Sequence, residues 1–135
     1  MLQPLVRALV AAELPVLAEQ RLSMWGYVVL NALDVSPVRT QGALAASIGA
    51  DKTRIIATLD ELERDGLLAR TPDPEDRRAR VLSITEAGRQ VRATVQTGIQ
   101  AHEDRLLARL PAADRHAFLR SVHALSALAG GELSG

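Results

Sequence analysis

The sequence contains no cysteine, which excludes disulfide bonds, thiolate metal sites and cysteine-based redox sensing. Aromatic residues make up only 2% of it, so the core has to be built from Leu, Ala, Val and Ile. Sixteen basic and sixteen acidic residues cancel, which argues against a general polyanion binder but leaves room for a local basic patch. No apolar run reaches the roughly 20 residues that span a bilayer, and the N-terminus lacks the long apolar stretch of a signal peptide. We therefore expect a soluble cytoplasmic protein.

What the sequence does contain is apolar residues at helical spacing along most of its 135 residues, a length that fits one domain. Pro15 inside the first predicted helix predicts a kink or break near Leu14. A long helix after Thr85 carries a stripe from Val91 to Leu110, and Pro111 is expected to break it. The predicted helices span residues 2–20, 24–34, 41–48, 52–65, 86–110 and 112–129.

The middle of the chain predicts a helix-turn-helix followed by a hairpin. Thr40 and Asp51 are suited to cap two helices, and Gly49 closes the first of them, which leaves a turn of about three residues. The β-favouring runs 67–71 and 81–85 flank a charged loop, 73–80, and predict a hairpin. A charged hairpin directly after a helix-turn-helix is typical of a winged helix, whose second helix enters the major groove of DNA. The fold class predicted is mainly α with a small β-hairpin wing.

Residues suited to DNA contact occur where a winged helix needs them. The start of the second helix can reach base edges, the start of the first can hold a phosphate, and arginines in the wing suit a narrow minor groove. The acidic second half of the recognition helix is expected to face away from phosphate. The candidate DNA-binding residues are Arg39, Thr40, Gln41, Lys52, Thr53, Arg54, Ala57, Asp76, Arg77, Arg78 and Arg80.

Three segments resemble the MarR family of winged-helix regulators: LSMWGYVVLNAL, TQGALAASIGADKTRIIATLDELERDGLLAR and DPEDRRARVLSITEAG. The resemblance implies a homodimer whose first and last helices interlock, and a small molecule that modulates DNA binding. It also implies that Arg78 is the minor-groove contact of the wing and that Asp76 positions it. The chain departs from many relatives at Ile56 and Ala57, where a polar or basic residue is common. We accordingly expect three regions: residues 1–22 for dimerisation, 23–88 for DNA binding and 89–135 for dimerisation.

Dimerisation is also expected on physical grounds, because the winged unit is too small to cover the apolar faces of the long helix and of both terminal helices. A two-fold dimer would present two recognition helices at the spacing of one DNA turn, about 34–36 Å, and so would bind a pseudo-palindromic operator. The leading hypothesis is a repressor that a small aromatic or apolar ligand releases.

Other interpretations stay open. Arg21, Met24, Trp25 and Tyr27 are candidates for a ligand pocket, although packing of Trp25 in the core is the favoured explanation of the pattern. His102, His116 and His123, with Glu103, are candidates for a metal-responsive site. A winged-helix module that binds proteins and has lost DNA binding is a third alternative. No nucleophile elbow, phosphate loop or dinucleotide motif is present, so we expect neither catalysis nor a cofactor.

Overall fold

A computed structural model of the protein describes residues 1–37 and 40–129. Over these ranges it contains six helices and one two-stranded sheet, in the order α1 (Gln3–Glu19), α2 (Met24–Val35), α3 (Gln41–Ile48), α4 (Lys52–Arg64), β1 (Leu68–Pro72), β2 (Arg80–Ile84), α5 (Glu86–Leu107) and α6 (Ala112–Ala129). The chain forms two compact units, Met1–Ile99 and Gln100–Gly135. The winged helix-turn-helix architecture predicted from the sequence is confirmed.

Short polar side chains start four of the described helices, α2 to α5. Each hydroxyl or carboxylate accepts a hydrogen bond from a backbone N–H in the first turn, where no helical partner exists. The pairs are Ser23 with Gly26 (2.9 Å), Thr40 with Ala43 (2.9 Å), Asp51 with Thr53 (3.3 Å) and Thr85 with Gly88 (3.0 Å). The capping predictions for Thr40 and Asp51 are confirmed.

Left-handed residues end α1, α3 and α4. Gly49 and Gly66 have φ angles of 68° and 76°, a region that costs glycine little. At the end of α1 the same position is occupied by Arg21, with φ 53°. In each case the next residue donates its N–H back to the last helical turn, as Leu22 does to Leu17 (3.0 Å). Arg21 therefore ends α1 in a strained backbone conformation that a glycine would adopt without strain.

The predicted break near Leu14 is wrong, because α1 continues through Pro15 to Glu19. Proline removes one helical hydrogen bond and crowds the preceding turn. Its cost is offset here by the residues that follow, since Leu17 is buried and closes the helix end against Leu22. Pro4 lies in the first turn of α1, where its missing N–H costs nothing.

The two strands pair antiparallel, with Leu68 opposite Ile84 and Pro72 opposite Arg80. Each is displaced by one residue from the predicted run. Leu67 donates its N–H to Leu62 and so still belongs to the end of α4, while Thr85 caps α5. The ends of the hairpin are thus set by the flanking helices.

The core lies in the first unit, where α2 packs against α3, α4 and β2. Its buried members are Leu17, Leu22, Val29, Leu30, Leu33, Leu44, Ala45, Ile55, Leu59, Leu62, Leu67, Leu68, Leu82, Ile84, Val95 and Ile99. None of these described core residues is aromatic, as the composition predicted. None of the described helices is both long and apolar enough to cross a membrane.

Helix α5 is shorter than predicted. It ends at Leu107, and Leu110 lies in the following turn. Pro111 therefore does not break α5; its carbonyl accepts the Arg115 N–H (2.9 Å) at the start of α6. Proline disfavours helical geometry in the residue before it, which explains why the turn precedes Pro111. The 22 residues of α5 span about 33 Å.

Ion pairing and close packing attach the first part of α5 to the rest of the first unit. The Arg92 guanidinium lies 3.2 Å from Asp34 and donates to Asn31, both on α2. Gly98 allows close packing, since a Cβ at this position would press on Val16 of α1. The first part of α5 is therefore attached to both α1 and α2.

Candidate nucleic-acid interface

The turn between α3 and α4 spans Gly49 to Asp51 and orients the second helix. Buried Ile55 and Leu59 fix one face of α4 against the core. At roughly 100° per residue, the opposite face carries Thr53 and Ala57. Flanking residues add two cations, and the exposed candidates on the first two turns of α4 are Lys52, Thr53, Arg54 and Ala57. This surface presents guanidinium, ammonium, hydroxyl and methyl groups to solvent, the groups that contact phosphates and base edges.

The start of α3 adds fewer groups than expected. Thr40 is exposed and its Oγ1 accepts the Ala43 N–H. Gln41 is half-buried. Arg39 lies outside the described residues. The free N–H groups of this first helical turn remain suited to a phosphate.

The tip of the wing is a compact loop organised by Asp73. The Asp73 side chain is 5% exposed, and its Oδ1 accepts the Glu75 N–H (2.9 Å). The Asp73 backbone N–H donates to Ala79 (3.0 Å) across the loop. The sequence predicts Asp73 only as the first residue of a charged loop. An aspartate followed by proline at the end of a strand is the signal that could have identified this anchor.

The Asp76 side chain contacts the backbone of Arg78. Asp76 Oδ1 accepts the Arg78 backbone N–H (3.0 Å), so the carboxylate shapes the turn from which the arginine projects. The Arg77, Arg78 and Arg80 side chains are all exposed. The wing therefore presents three guanidinium groups from a loop whose backbone is held by two aspartates.

The acidic half of α4 is partly neutralised by Arg70 on β1, a residue that sequence analysis missed. Arg70 Nη1 lies 2.9 Å from Asp60 and 3.2 Å from Glu63, and the Arg70 side chain is largely buried. Because these ion pairs join α4 to the first strand of the wing, they fix the two elements to each other. An arginine in the strand that directly follows an acidic helix was the available signal.

Thr85 and Gly88 close the junction between α4, the hairpin and α5. The Thr85 hydroxyl donates to the Gly66 carbonyl (2.6 Å) and accepts the Gly88 N–H (3.0 Å). A Cβ on Gly88 would collide with the Leu67 carbonyl oxygen. The base of the wing is thus pinned to the end of the helix that precedes it.

A cleft of about 280 Å³ is lined by Gln20, Arg21, Asp65, Leu67 and Val91. Of the predicted ligand residues, Arg21 lines this cleft. Met24, Trp25 and Tyr27 are all half-buried, and Met24 and Tyr27 pack against the core. Arg21 therefore lines this cleft, whereas the other three candidates are not among its lining residues.

The histidines are dispersed over α5 and α6. His102 Nδ1 lies 3.0 Å from the Arg105 guanidinium, and His116 and His123 are exposed. Over the described ranges, no three His, Asp or Glu side chains come close enough together to hold a metal ion.

Comparison with known proteins identifies relatives of this fold. A sequence model described as "MarR family" matches residues 25–79, from the start of α2 to the wing. A Thauera aromatica protein assigned to transcriptional regulation of the hcr operon is 32% identical over 89 residues, which cover 66% of this chain and 54% of the relative. The match therefore spans about half the length of that curated relative.

Solved structures match over nearly the whole chain. The transcriptional repressor CouR bound to a 23-mer DNA duplex is 32% identical, with a TM-score of 0.79, over 93% of this chain and 89% of CouR. CouR from Rhodococcus jostii RHA1 bound to p-coumaroyl-CoA is 28% identical, with a TM-score of 0.73, over 92% and 87% of the two chains. With the helix-turn-helix, the pinned hairpin and the matched segment in agreement, the chain belongs to the MarR family of transcriptional regulators.

Proposed function

We propose that the protein is a sequence-specific DNA-binding regulator that acts as a homodimer on a pseudo-palindromic operator and represses transcription until a small aromatic or apolar ligand releases it. The observation that carries this proposal is the exposed cationic surface of the α4 start and the wing, held in register by Arg70 and Thr85. In this proposal residues 23–88 bind DNA, while residues 1–22 and 89–135 form the dimer.

The two DNA-contacting elements have different tasks. The first turns of α4 enter the major groove, where Arg54 and Lys52 bond guanine or phosphate and Thr53 bonds a base edge. The wing places Arg78, flanked by Arg77, in the adjacent minor groove, where narrow A-tracts attract arginine. Asp76 acts on Arg78 by fixing its backbone. Thr40 and Gln41 hold a phosphate at the start of α3.

Salt dependence tests the DNA-binding proposal directly. The protein is titrated against duplexes from its own upstream region at several salt concentrations, with calf-thymus DNA as competitor. We expect the logarithm of affinity to fall steeply with the logarithm of salt, since each neutralised phosphate adds a slope of about −0.9. A flat slope without sequence preference would contradict the proposal and favour a protein-interaction module.

The wing contact is tested by Arg78→Ala. Loss of this side chain should weaken operator binding roughly tenfold or more. The matched control is Arg109→Ala, an exposed arginine in the turn after α5, outside the helix-turn-helix and the hairpin. If both variants bind like the wild type, the wing does not take part in binding.

Exposed apolar side chains on the terminal helices support the homodimer. Val6, Val10 and Leu14 on α1, with Leu2 just before it, recur every four residues and are exposed. On α6, exposed apolar residues follow helical spacing at Phe118, Val122 and Leu125. Faces of this kind are rarely left in water by a stable monomer.

The cleft beside Arg21 supports ligand control. Arg21 keeps a strained backbone at the rim of the cleft, and such strain is often retained where the side chain has a function. The guanidinium would bind an acidic group, while Leu67 and Val91 would contact the apolar part of the ligand. Because Asp65 and Leu67 follow α4 directly, an occupied cleft would act on the orientation of the recognition helix. Thermal-shift screening of aromatic carboxylates and their thioesters, with Arg21→Ala as control, tests this proposal.

One of the two alternatives loses part of its motivation. The acidic half of α4 suggested an interaction module, but Asp60 and Glu63 are paired with Arg70. The histidines suggested metal control, which equilibrium dialysis against zinc and nickel would detect if it occurred.

A further inference from the structure

The recognition helix carries an exposed isoleucine that the proposed function does not use. Ile56 is 39% exposed on α4, although its neighbour Ile55 is fully buried. Ala57, the next residue, is exposed as well. These two apolar side chains lie within the first two turns, after the cations Lys52 and Arg54.

Ile56 lies outside the buried face of α4 and is not one of the core residues. Its side chain is therefore available to contact a molecule that binds to this helix. The buried face of α4 is centred on Ile55 and Leu59, and Ile56 lies about 100° away from it, beside the outward-facing Thr53 and Ala57. Residues further along the same side, Asp60 and Glu63, are paired with Arg70. Ile56 is thus the last large exposed side chain before the acidic half of the helix, at the edge of the cationic surface.

We propose that Ile56 is a specificity-determining residue that packs against a thymine C5-methyl group in the major groove, with Ala57 beside it. This inference rests on the proposed function. Isoleucine and alanine have no hydrogen-bonding side-chain atoms, and the thymine methyl is the one apolar group that a base pair presents in the major groove. The surrounding cations supply the phosphate contacts that bring this helix to DNA. The half-site therefore contains a thymine that is recognised by its methyl group alone.

Deoxyuridine scanning tests this inference. An operator is selected from random-sequence duplexes by the wild-type protein, and each thymine is then replaced in turn by deoxyuridine, which removes the methyl and keeps the pairing. At one position of the half-site we expect about a fourfold loss of wild-type affinity, the value of one buried methyl group. Ile56→Ala should bind the thymine operator more weakly and should lose this discrimination at that same position.

The control separates a specific contact from a general loss. Val35→Ala shortens another exposed β-branched residue, 86% exposed at the end of α2, and should keep the full wild-type discrimination. If the wild type selects no duplex, the proposed function fails and the inference fails with it. If the wild type binds its operator but Ile56→Ala retains the same deoxyuridine profile, the inference alone is overturned.

Discussion

At the scale of single residues, Arg21 ends α1 in a backbone conformation that is unfavourable for any residue except glycine. Its φ of 53° occupies a position that Gly49 and Gly66 fill in the equivalent turns of α3 and α4. This conformation destabilises the folded state by roughly 1–2 kcal/mol for a non-glycine residue. Glycine removes this strain, but it loses more conformational entropy on folding, which offsets part of the stabilisation. Arg21→Gly should therefore raise the free energy of unfolding by about 0.5 kcal/mol, measured by thermal and urea unfolding.

Two matched variants serve as controls for the stability of Arg21→Gly. Gly66→Ala makes the reverse exchange at the end of α4 and should lower stability by about 0.5 kcal/mol. Arg21→Ala keeps the strain and removes only the guanidinium, so it should leave stability nearly unchanged. A destabilised Arg21→Gly protein would mean that the arginine side chain itself holds the α1–α2 turn together.

At the scale of elements, the junction at Gly88 decides how the wing is attached. A methyl group at this position would meet the Leu67 carbonyl, which belongs to the backbone and is already bonded to the Thr85 N–H. Gly88→Ala should force α5 away from the hairpin, lower stability by about 1–3 kcal/mol and weaken DNA binding. Calorimetric unfolding and operator titration measure both effects.

Gly42 is the matched control for this prediction. It lies in α3, and a Cβ there would meet nothing within 4 Å. Gly42→Ala should stabilise the protein by about 0.5–1 kcal/mol because alanine favours the helix. If Gly88→Ala were as harmless as Gly42→Ala, the hairpin and α5 would not be tightly joined.

At the scale of the whole molecule, the proposed dimer would cover the exposed apolar residues of α6. Val122 is 40% exposed, within the run of exposed apolar residues on this helix. A glutamate there would bury an unpaired charge in each half of a dimer interface, which is costly. Val122→Glu should therefore sediment as a monomer at micromolar concentration, where the wild type should sediment as a dimer, and it should bind the operator weakly.

The neighbouring residue provides the comparison. His123→Glu makes a similar change on the polar side of α6 and should sediment as the wild type does. A wild-type protein that sediments as a monomer would contradict the dimer proposal at once. Dissociation by both variants would instead indicate general damage to the helix.

Helix boundaries and the hairpin followed from residue chemistry, because caps such as Thr40 and stops such as Gly49 act locally. The ion pair between Arg70 and Asp60 could not be predicted in this way, since it depends on how β1 packs against α4. The continuation of α1 through Pro15 likewise depends on tertiary burial of Leu17. Ile56 was visible in the sequence as an apolar residue, but only the buried face of α4 shows that its side chain points outward.

The aliphatic core has a practical consequence for spectroscopy. The sequence contains one tryptophan, Trp25, which is half-buried in the first turn of α2. Fluorescence excited at a wavelength that only tryptophan absorbs therefore originates from this one side chain. Quenching by iodide or a shift of the emission maximum would report on the start of α2 alone, without a label and without a background from the rest of the molecule.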